Sequence, residues 1–323
     1  MLSTGRQLLL WVGLLLLVMA PARAQPFPSR PIQLTLPYTP GGFIDFTGRV
    51  LAQKLGDALG QTVVPENRPG ANGIVGVDYV ARAASDGYNI VMIDQAIVIN
   101  SSLQKSIPYD VFKDLTTISI VASSPMVLVV SPQLPVKTIA ELIAYGKANP
   151  GKLNYASAGV GAVSHLAGEM FRMRTGVDAV HVPYKGIGPS FIDLMSGKVQ
   201  MAFSSIAGAL PYTSNGRVIP IATAGLTRSP IYPDLPTIAE AGLPGFNIDL
   251  WIGVYGPAGI PVDALAMLNG GITKALQDNQ LEASFAKFGL TPRGTSVAEG
   301  VTFTKSEYQK WKRVIIDGDI TLD

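Results

Sequence analysis

From Ile32 onward one pattern recurs: a short apolar run, a glycine turn, then a segment of helical length with its apolar residues on one face. A chain built this way can bury itself in few ways, and the pattern predicts sheets of parallel strands with helices on their faces, an α/β fold. Ile32–Pro37 is a strand run, Pro40-Gly41-Gly42 the turn, and Phe43–Leu59 the helix, with Val50, Leu51, Leu55 and Leu59 on one side and Gly60 ending it. The same logic predicts strands over Thr62–Pro65, Tyr88–Ile93, Pro125–Val130, Lys152–Ser157, Ala179–Pro183, Val199–Phe203, Val218–Thr223 and Phe246–Tyr255. Helices are expected up to about Ala84, over Thr138–Ala148, up to Arg174, over Pro189–Met195, and over Val262–Gln277 and Val297–Ile316.

No linker rich in serine, proline or charge divides the chain into contiguous halves. The simplest arrangement is then a discontinuous first lobe, residues 25–124 plus 252–323, with residues 125–251 inserted as a second lobe. Pro125–Val130 would carry the chain out and Phe246–Tyr255 would bring it back, so two strands would form a hinge beside a ligand cleft.

Residues 1–24 read as an export signal. Arg6 supplies the positive charge, Leu8–Met19 an apolar run too short for a comfortable bilayer crossing of ~20 residues, and Ala22-Arg23-Ala24 a cleavage site before Gln25. Removing it takes away Arg6 and Arg23 and no acid, which leaves 23 basic and 23 acidic residues. A chain of zero net charge gives no case for a nucleic-acid partner or an anionic membrane. The chain has no cysteine, which excludes disulfides, iron–sulfur clusters and thiolate metal sites, and its two histidines, His165 and His181, are too few for a multi-histidine metal centre. No cofactor or metal is expected.

Two strand–glycine–helix junctions carry the most information: Leu36-Pro37-Tyr38-Thr39-Pro40-Gly41-Gly42-Phe43-Ile44-Asp45, and Tyr155-Ala156-Ser157-Ala158-Gly159-Val160-Gly161-Ala162-Val163-Ser164-His165. Glycines let the backbone approach a ligand, and the unpaired N–H groups of a helix start favour an anion without any basic side chain. One such loop is most simply a turn of the chain. Two of them, on opposite walls of a cleft, could clamp a carboxylate. Neither fits a Walker A pattern, and the second is not a dinucleotide fingerprint because Ser164 stands at its third glycine position. Asp45, in the first helical turn, reads foremost as a cap, and His181 as a strand histidine rather than a catalyst. Ser164 and His165 share a turn and cannot face each other as nucleophile and base. No Gly-x-Ser-x-Gly elbow is present, and no catalytic residue is expected. Tyr184, Lys185 and Gly186 follow a strand and could reach a cleft, while Trp251 fits core and cleft wall equally.

At these motifs the chain closely resembles the Bug family, the periplasmic receptors of tripartite tricarboxylate transporters. The resemblance runs through Pro40-Gly41-Gly42-x-x-Asp45, Glu66-Asn67-Arg68-Pro69-Gly70-Ala71, Ala84-Ser85-Asp86-Gly87-Tyr88, Asn154–Gly159, Ser164–Glu169, His181–Gly186 and Asp234–Gly245. It implies a type II periplasmic-binding-protein fold, two lobes with central mixed sheets joined by a two-strand hinge, that closes on small organic acids and delivers them to membrane permease subunits. A monomer is expected. By matching motif, ligand contacts fall to Tyr38, Thr39, Pro40, Gly41, Gly42, Phe43 and Asp45 on one side. On the other they fall to Ser157, Ala158, Gly159, Ser164, His165, Tyr184, Lys185 and Gly186.

Two positions depart from the family. Ser204 stands where relatives often carry an aspartate, which removes an acceptor for a ligand amine and disfavours acidic amino acids. Asp94-Gln95 stands where relatives have small residues, and a carboxylate there repels an anion unless it faces away, is protonated or meets a donor on the ligand. With the aromatic surface of Tyr38 and Phe43, these point to a larger, less polar carboxylate, aromatic acids included. A receptor presenting its ligand to a membrane sensor kinase, or an enzyme on the same scaffold, are the competing readings.

Overall fold

The computed structural model describes residues 26–322. The expected export signal lies outside them. The first half contains β1 (Ile32–Leu36), α1 (Phe43–Leu59), β2 (Val63–Asn67), α2 (Ile74–Ala81), β3 (Asn89–Asp94), α3 (Ala96–Leu103), β4 (Leu115–Val130), α4 (Ile139–Ala148), β5 (Leu153–Ser157) and α5 (Val163–Thr175). There follow β6 (Ala179–Pro183), α6 (Ser190–Met195), β7 (Met201–Ser205), α7 (Ile206–Thr213), β8 (Ile219–Thr223), β9 (Asp249–Pro257), α8 (Val262–Ala275), α9 (Asn279–Ala286), β10 (Thr291–Pro292) and α10 (Val297–Asp317). The result is a mixed α/β fold in which strands pair in the order β2-β1-β3-β9-β4-β7-β5-β6, with β8 and β10 also on β4.

The βα units pair in parallel, β1 with β2 and β3, and β5 with β6 and β7, as crossovers through helices require. Between these parallel groups, β9 runs antiparallel to both β3 and β4, and β4 runs antiparallel to β7. β4 is the shared element. Leu115–Pro125 pairs with β9, and Met126–Val130 pairs with β7 and β8. Pro125, which has no N–H to give a ladder, sits where β4 changes partners.

The strand expected from Pro125 therefore begins ten residues earlier, at Leu115. Its first half, LTTISIVASS, looks polar, but Ser119 Oγ donates to the Thr295 carbonyl (2.9 Å) and the Thr295 hydroxyl accepts from the Ile120 amide (2.9 Å), so these groups are buried with partners. Three helices were not expected: α3, α7 and α9.

Burial on both sheet faces explains the near-continuous apolar strands β1 and β3. α1 and α8 cover one face with Leu51, Leu55, Leu268 and Ile272, and α2, α3 and α10 cover the other. α1 lies so close to β1 that a Cβ on Gly48 would stand 2.4 Å from the Leu36 side chain, which fixes where the first glycine junction emerges. A single apolar cluster runs from Val91 and Ile97 through Trp251 and Trp311 to Leu166 and Phe171, so the two strand groups share core. Trp251 belongs to that core. It is 1% exposed, and its Nε1 donates to Glu307 Oε2 at 2.9 Å.

Candidate functional site

Both glycine junctions stand at the carboxyl ends of parallel strands, where α/β sheets open crevices. At the first, Thr39, Pro40, Gly41 and Gly42 are exposed and Phe43 half-buried. Gly41 has φ +85°, the left-handed region that suits glycine. Asp45 is buried and braces the loop: its Oδ2 accepts from the Gly41 amide (3.0 Å), and its Oδ1 accepts from Arg49 Nε (2.9 Å) and Asn67 Nδ2 (2.9 Å). The Arg49 guanidinium, with these amide donors, holds the Asp45 carboxyl down at about 2. Asp45 was expected to cap the helix, but the amide it accepts belongs to Gly41, before the N-cap Gly42, so it braces the turn instead. α1 has no side-chain cap, and Gly42, Phe43 and Ile44 N–H find no acceptor among the described residues. Unpaired amides at a helix start carry partial positive charge and can accept an anion.

The second junction is built differently. Side chains from the first turn of α5 reach back to its loop: Ser164 Oγ accepts from the Ala158 amide (2.9 Å), and His165 Nδ1 from the Gly161 amide (3.1 Å). The Gly159 amide bonds to Ser157 Oγ (3.0 Å), and the Ala162 amide to the Gly159 carbonyl (3.2 Å). Only Val160, Val163 and Ser164 N–H lack acceptors among the described residues. Behind the loop Ser157 Oγ meets His181 Nε2 at 2.6 Å, and His181 packs near-parallel against both His165 (3.8 Å between centroids) and Tyr155 (5.0 Å). The Tyr155 hydroxyl bonds Glu169, which pairs with Arg172. Burial pushes both imidazoles down to about 4; Arg172 adds to the effect at His165, and the neighbouring His165 at His181. At neutral pH both rings are therefore neutral, as the Gly161 N–H···Nδ1 bond requires.

Tyr184 and Gly186 are drawn to this junction by backbone bonds, Tyr184 N–H to the Ser157 carbonyl (3.0 Å) and Gly186 N–H to the Ala158 carbonyl (3.2 Å). The Tyr184 hydroxyl donates to Asp193 (2.8 Å), and burial, with the Asp193 carboxylate, pushes its pKa up to about 12. Lys185 is exposed. Ser204, at the end of β7, is 1% exposed with its hydroxyl unpartnered. Tyr38 and Asp94, from the ends of β1 and β3, are joined directly: the phenol donates to Asp94 Oδ1 at 2.8 Å. Burial raises both pKa values, with the Asp94 charge adding to the rise at Tyr38.

No hydrogen bond among the described residues links the first group of candidates to the second. Packing brings neighbouring elements together instead. A Cβ on Gly161 would clash with Leu103 at the end of α3, 2.2 Å away, and one on Gly289 would be in ordinary contact with the Ala207 amide at 3.6 Å. Phe288, which carries no motif, packs on Phe43 and Phe46 at the first junction (6.1 and 5.1 Å between centroids). Gln95 was likewise outside the expected set. It is buried, its Oε1 accepts from the Trp251 amide (3.1 Å), and its Nε2 has no partner. Among the described residues no cluster of histidine, cysteine or carboxylate groups could hold a metal, and no helix is long and apolar enough to cross a membrane.

Residues 47–320 match the family described as tripartite tricarboxylate transporter family receptor. The chain belongs to that family. Among its curated relatives, the receptor is 37% identical to Protein BugT of Bordetella pertussis over 300 residues, 92% of each chain. It also matches the solved structure of R. palustris Rpa4515 with adipate, at 32% identity and TM-score 0.76, covering 91% of the receptor and 99% of that chain. MatC of Rhodopseudomonas palustris with bound malate matches at 29% identity and TM-score 0.72, covering 90% of the receptor and all of that chain. The receptor is thus a member of a solute-binding family with this mixed α/β fold.

Proposed function

We propose that this receptor binds a small organic carboxylate in a cleft between two lobes and hands it to a membrane permease of the tripartite tricarboxylate type. The observation that carries the proposal is the uncapped start of α1, whose Gly42, Phe43 and Ile44 amides meet no protein acceptor beside an exposed glycine turn. Several N–H donors aimed at one point bind a carboxylate without a lysine or arginine, and Asp45, Arg49 and Asn67 hold the turn in shape. The adipate and malate bound by two relatives support the same ligand class.

The lobes of this proposal are residues 25–124 with 252–323, and residues 125–251, and β4 and β9 are the strands that cross between them. The second junction supplies the opposite wall through the Val160, Val163 and Ser164 amides rather than through Ala158 and Gly159, whose amides are already bonded. Residues 1–24 direct the chain to the periplasm and are removed after Ala24. The ligand leaves chemically unchanged.

A thermal-shift screen against aliphatic, amino-acid and aromatic carboxylates tests the proposal. A ligand present at one hundred times its Kd stabilises the fold by about 2.7 kcal/mol. A panel in which no carboxylate raises the melting temperature, or recovery of altered ligand after incubation, refutes it.

A further inference from the structure

Among the described residues Asp94 has no basic partner, whereas Asp45 and Glu66 nearby pair with Arg49 and Arg68. Its Oδ1 takes both available donors, the Tyr38 hydroxyl at 2.8 Å and the Ala96 amide at 3.0 Å. Its Oδ2 receives no hydrogen bond from any described residue, and the side chain is only partly covered. No lysine, arginine or histidine contributes to its protonation, in contrast to Asp45 beside Arg49. The group is half-buried and fixed in orientation, with one oxygen satisfied and the other unused.

The neighbouring groups set what that oxygen would meet. Tyr38, which grips Asp94, directly precedes Thr39 and the turn whose uncapped amides suit a carboxylate. A ligand carboxylate seated on those amides, with a body that passes Tyr38, meets Asp94. A second negative charge there is repelled by Asp94, whereas a positive nitrogen supplies the cation that this carboxylate lacks. Ser204, whose hydroxyl is buried and unpartnered, offers no negative charge at the end of β7, so Asp94 is the acidic acceptor available for such a nitrogen among the candidate residues.

We propose that Asp94 is a specificity-determining residue, positioned by Tyr38, that selects carboxylates bearing a protonated nitrogen, so that the ligand is a zwitterionic acid rather than a plain dicarboxylate. The inference rests on the carboxylate-receptor reading above and narrows its ligand class.

Calorimetry at pH 7.5 with matched pairs tests it: adipate against 2-aminoadipate, succinate against aspartate, and benzoate against 4-(aminomethyl)benzoate. The expected result is at least a tenfold preference of the wild type for the nitrogen-bearing member of one pair. Asp94→Asn and Asp94→Ser, each checked for an unchanged melting transition, are expected to abolish that preference and to leave the plain acid bound as well or better. Equal affinities within every pair in the wild type overturn the assignment while leaving the carboxylate reading intact. So does a preference that survives in both variants. Plain diacid binding that weakens from pH 5 to pH 8 in the wild type and stays flat in Asp94→Asn assigns Asp94 a proton-donor role instead and also overturns it. Binding by no member of any pair removes the carboxylate reading, and this inference with it.

Discussion

The imidazoles of His165 and His181 lie face to face, 3.8 Å between centroids and 12° from parallel, directly beneath the second glycine junction. One ring accepts the Gly161 amide and the other meets the Ser157 hydroxyl, so the shape of the loop depends on both staying neutral.

That dependence predicts how stability changes with acid. Burial lowers each histidine from 6.5 to about 4 in the folded chain. The unfolded chain takes up protons below pH 6.5 that the folded chain refuses, so stability falls as pH drops from about 6.5 towards 4. Each unit of depression is worth about 1.4 kcal/mol, and less at His181, which keeps part of its surface in water. Urea unfolding at steps between pH 7.5 and 4 is expected to show this slope in the wild type and a shallower one in His181→Gln. An identical slope in the variant refutes the coupling.

Glu307 is the second prediction. Its Oε2 accepts two indole N–H groups, Trp251 at 2.9 Å and Trp311 at 3.1 Å, while Oε1 pairs with Lys310 at 2.6 Å. Glu307→Ala leaves two buried indoles without an acceptor and is expected to cost about 3–5 kcal/mol, measured by urea denaturation. Glu307→Gln keeps a carbonyl acceptor and is expected to lose less. Equal losses in the two variants would mean that packing, not the hydrogen bonds, sets the cost.

Gly161 sits at φ +76°, with Leu103 where its side chain would go. Gly161→Leu is expected to push the second junction away from the end of α3, raise the radius of gyration in X-ray scattering and weaken carboxylate binding at least tenfold. Adding Leu103→Ala should restore part of both. A double variant no better than the single one would place the defect in the backbone strain alone.

Gly41 is open on the side where a Cβ would stand, with no atom within 4 Å. Gly41→Trp is therefore expected to fold, at a backbone cost of about 1–2 kcal/mol for its positive φ, and to block carboxylate binding by filling the mouth of the turn. Calorimetry showing wild-type affinity in this variant would exclude the first junction as the anion site.

Much of this was legible in residue order because the local signals agree with the fold. α1 begins and ends where its apolar spacing and Gly60 place it, and Gly60 takes the left-handed conformation expected past a helix end (φ 65°). β6 matches to the residue. α3 was hidden because AIVINSSL opens on β-branched Ile97, Val98 and Ile99, which read as strand, although Asp94 accepts from the Ala96 amide at its start. α9 did carry a signal, Asp278, whose carboxylate caps the Gln280 and Leu281 amides (2.9 and 3.0 Å). In the candidate site the glycine junctions were visible as motifs. The division of labour within them was not: whether an amide is free or already held by Ser164 or His165 depends on side-chain geometry four to six residues away. Phe288 and the Tyr38–Asp94 bond join segments far apart in sequence, and no local pattern encodes them.

The strand order carries a consequence for the time course of folding. β3 and β4 follow each other in the chain but are not neighbours in the sheet, because β9 lies between them, with Asp94 beside Ile252 and Leu115 beside Pro257. The first strands to be synthesised leave a vacant lane that only a segment made much later can fill. Closing it requires a long loop to be drawn in before its contacts repay the entropy, which makes sheet completion slow. A nascent chain short of Asp249 therefore cannot join β3 to β4, and the two strand groups stay unconnected in the sheet until β9 is made.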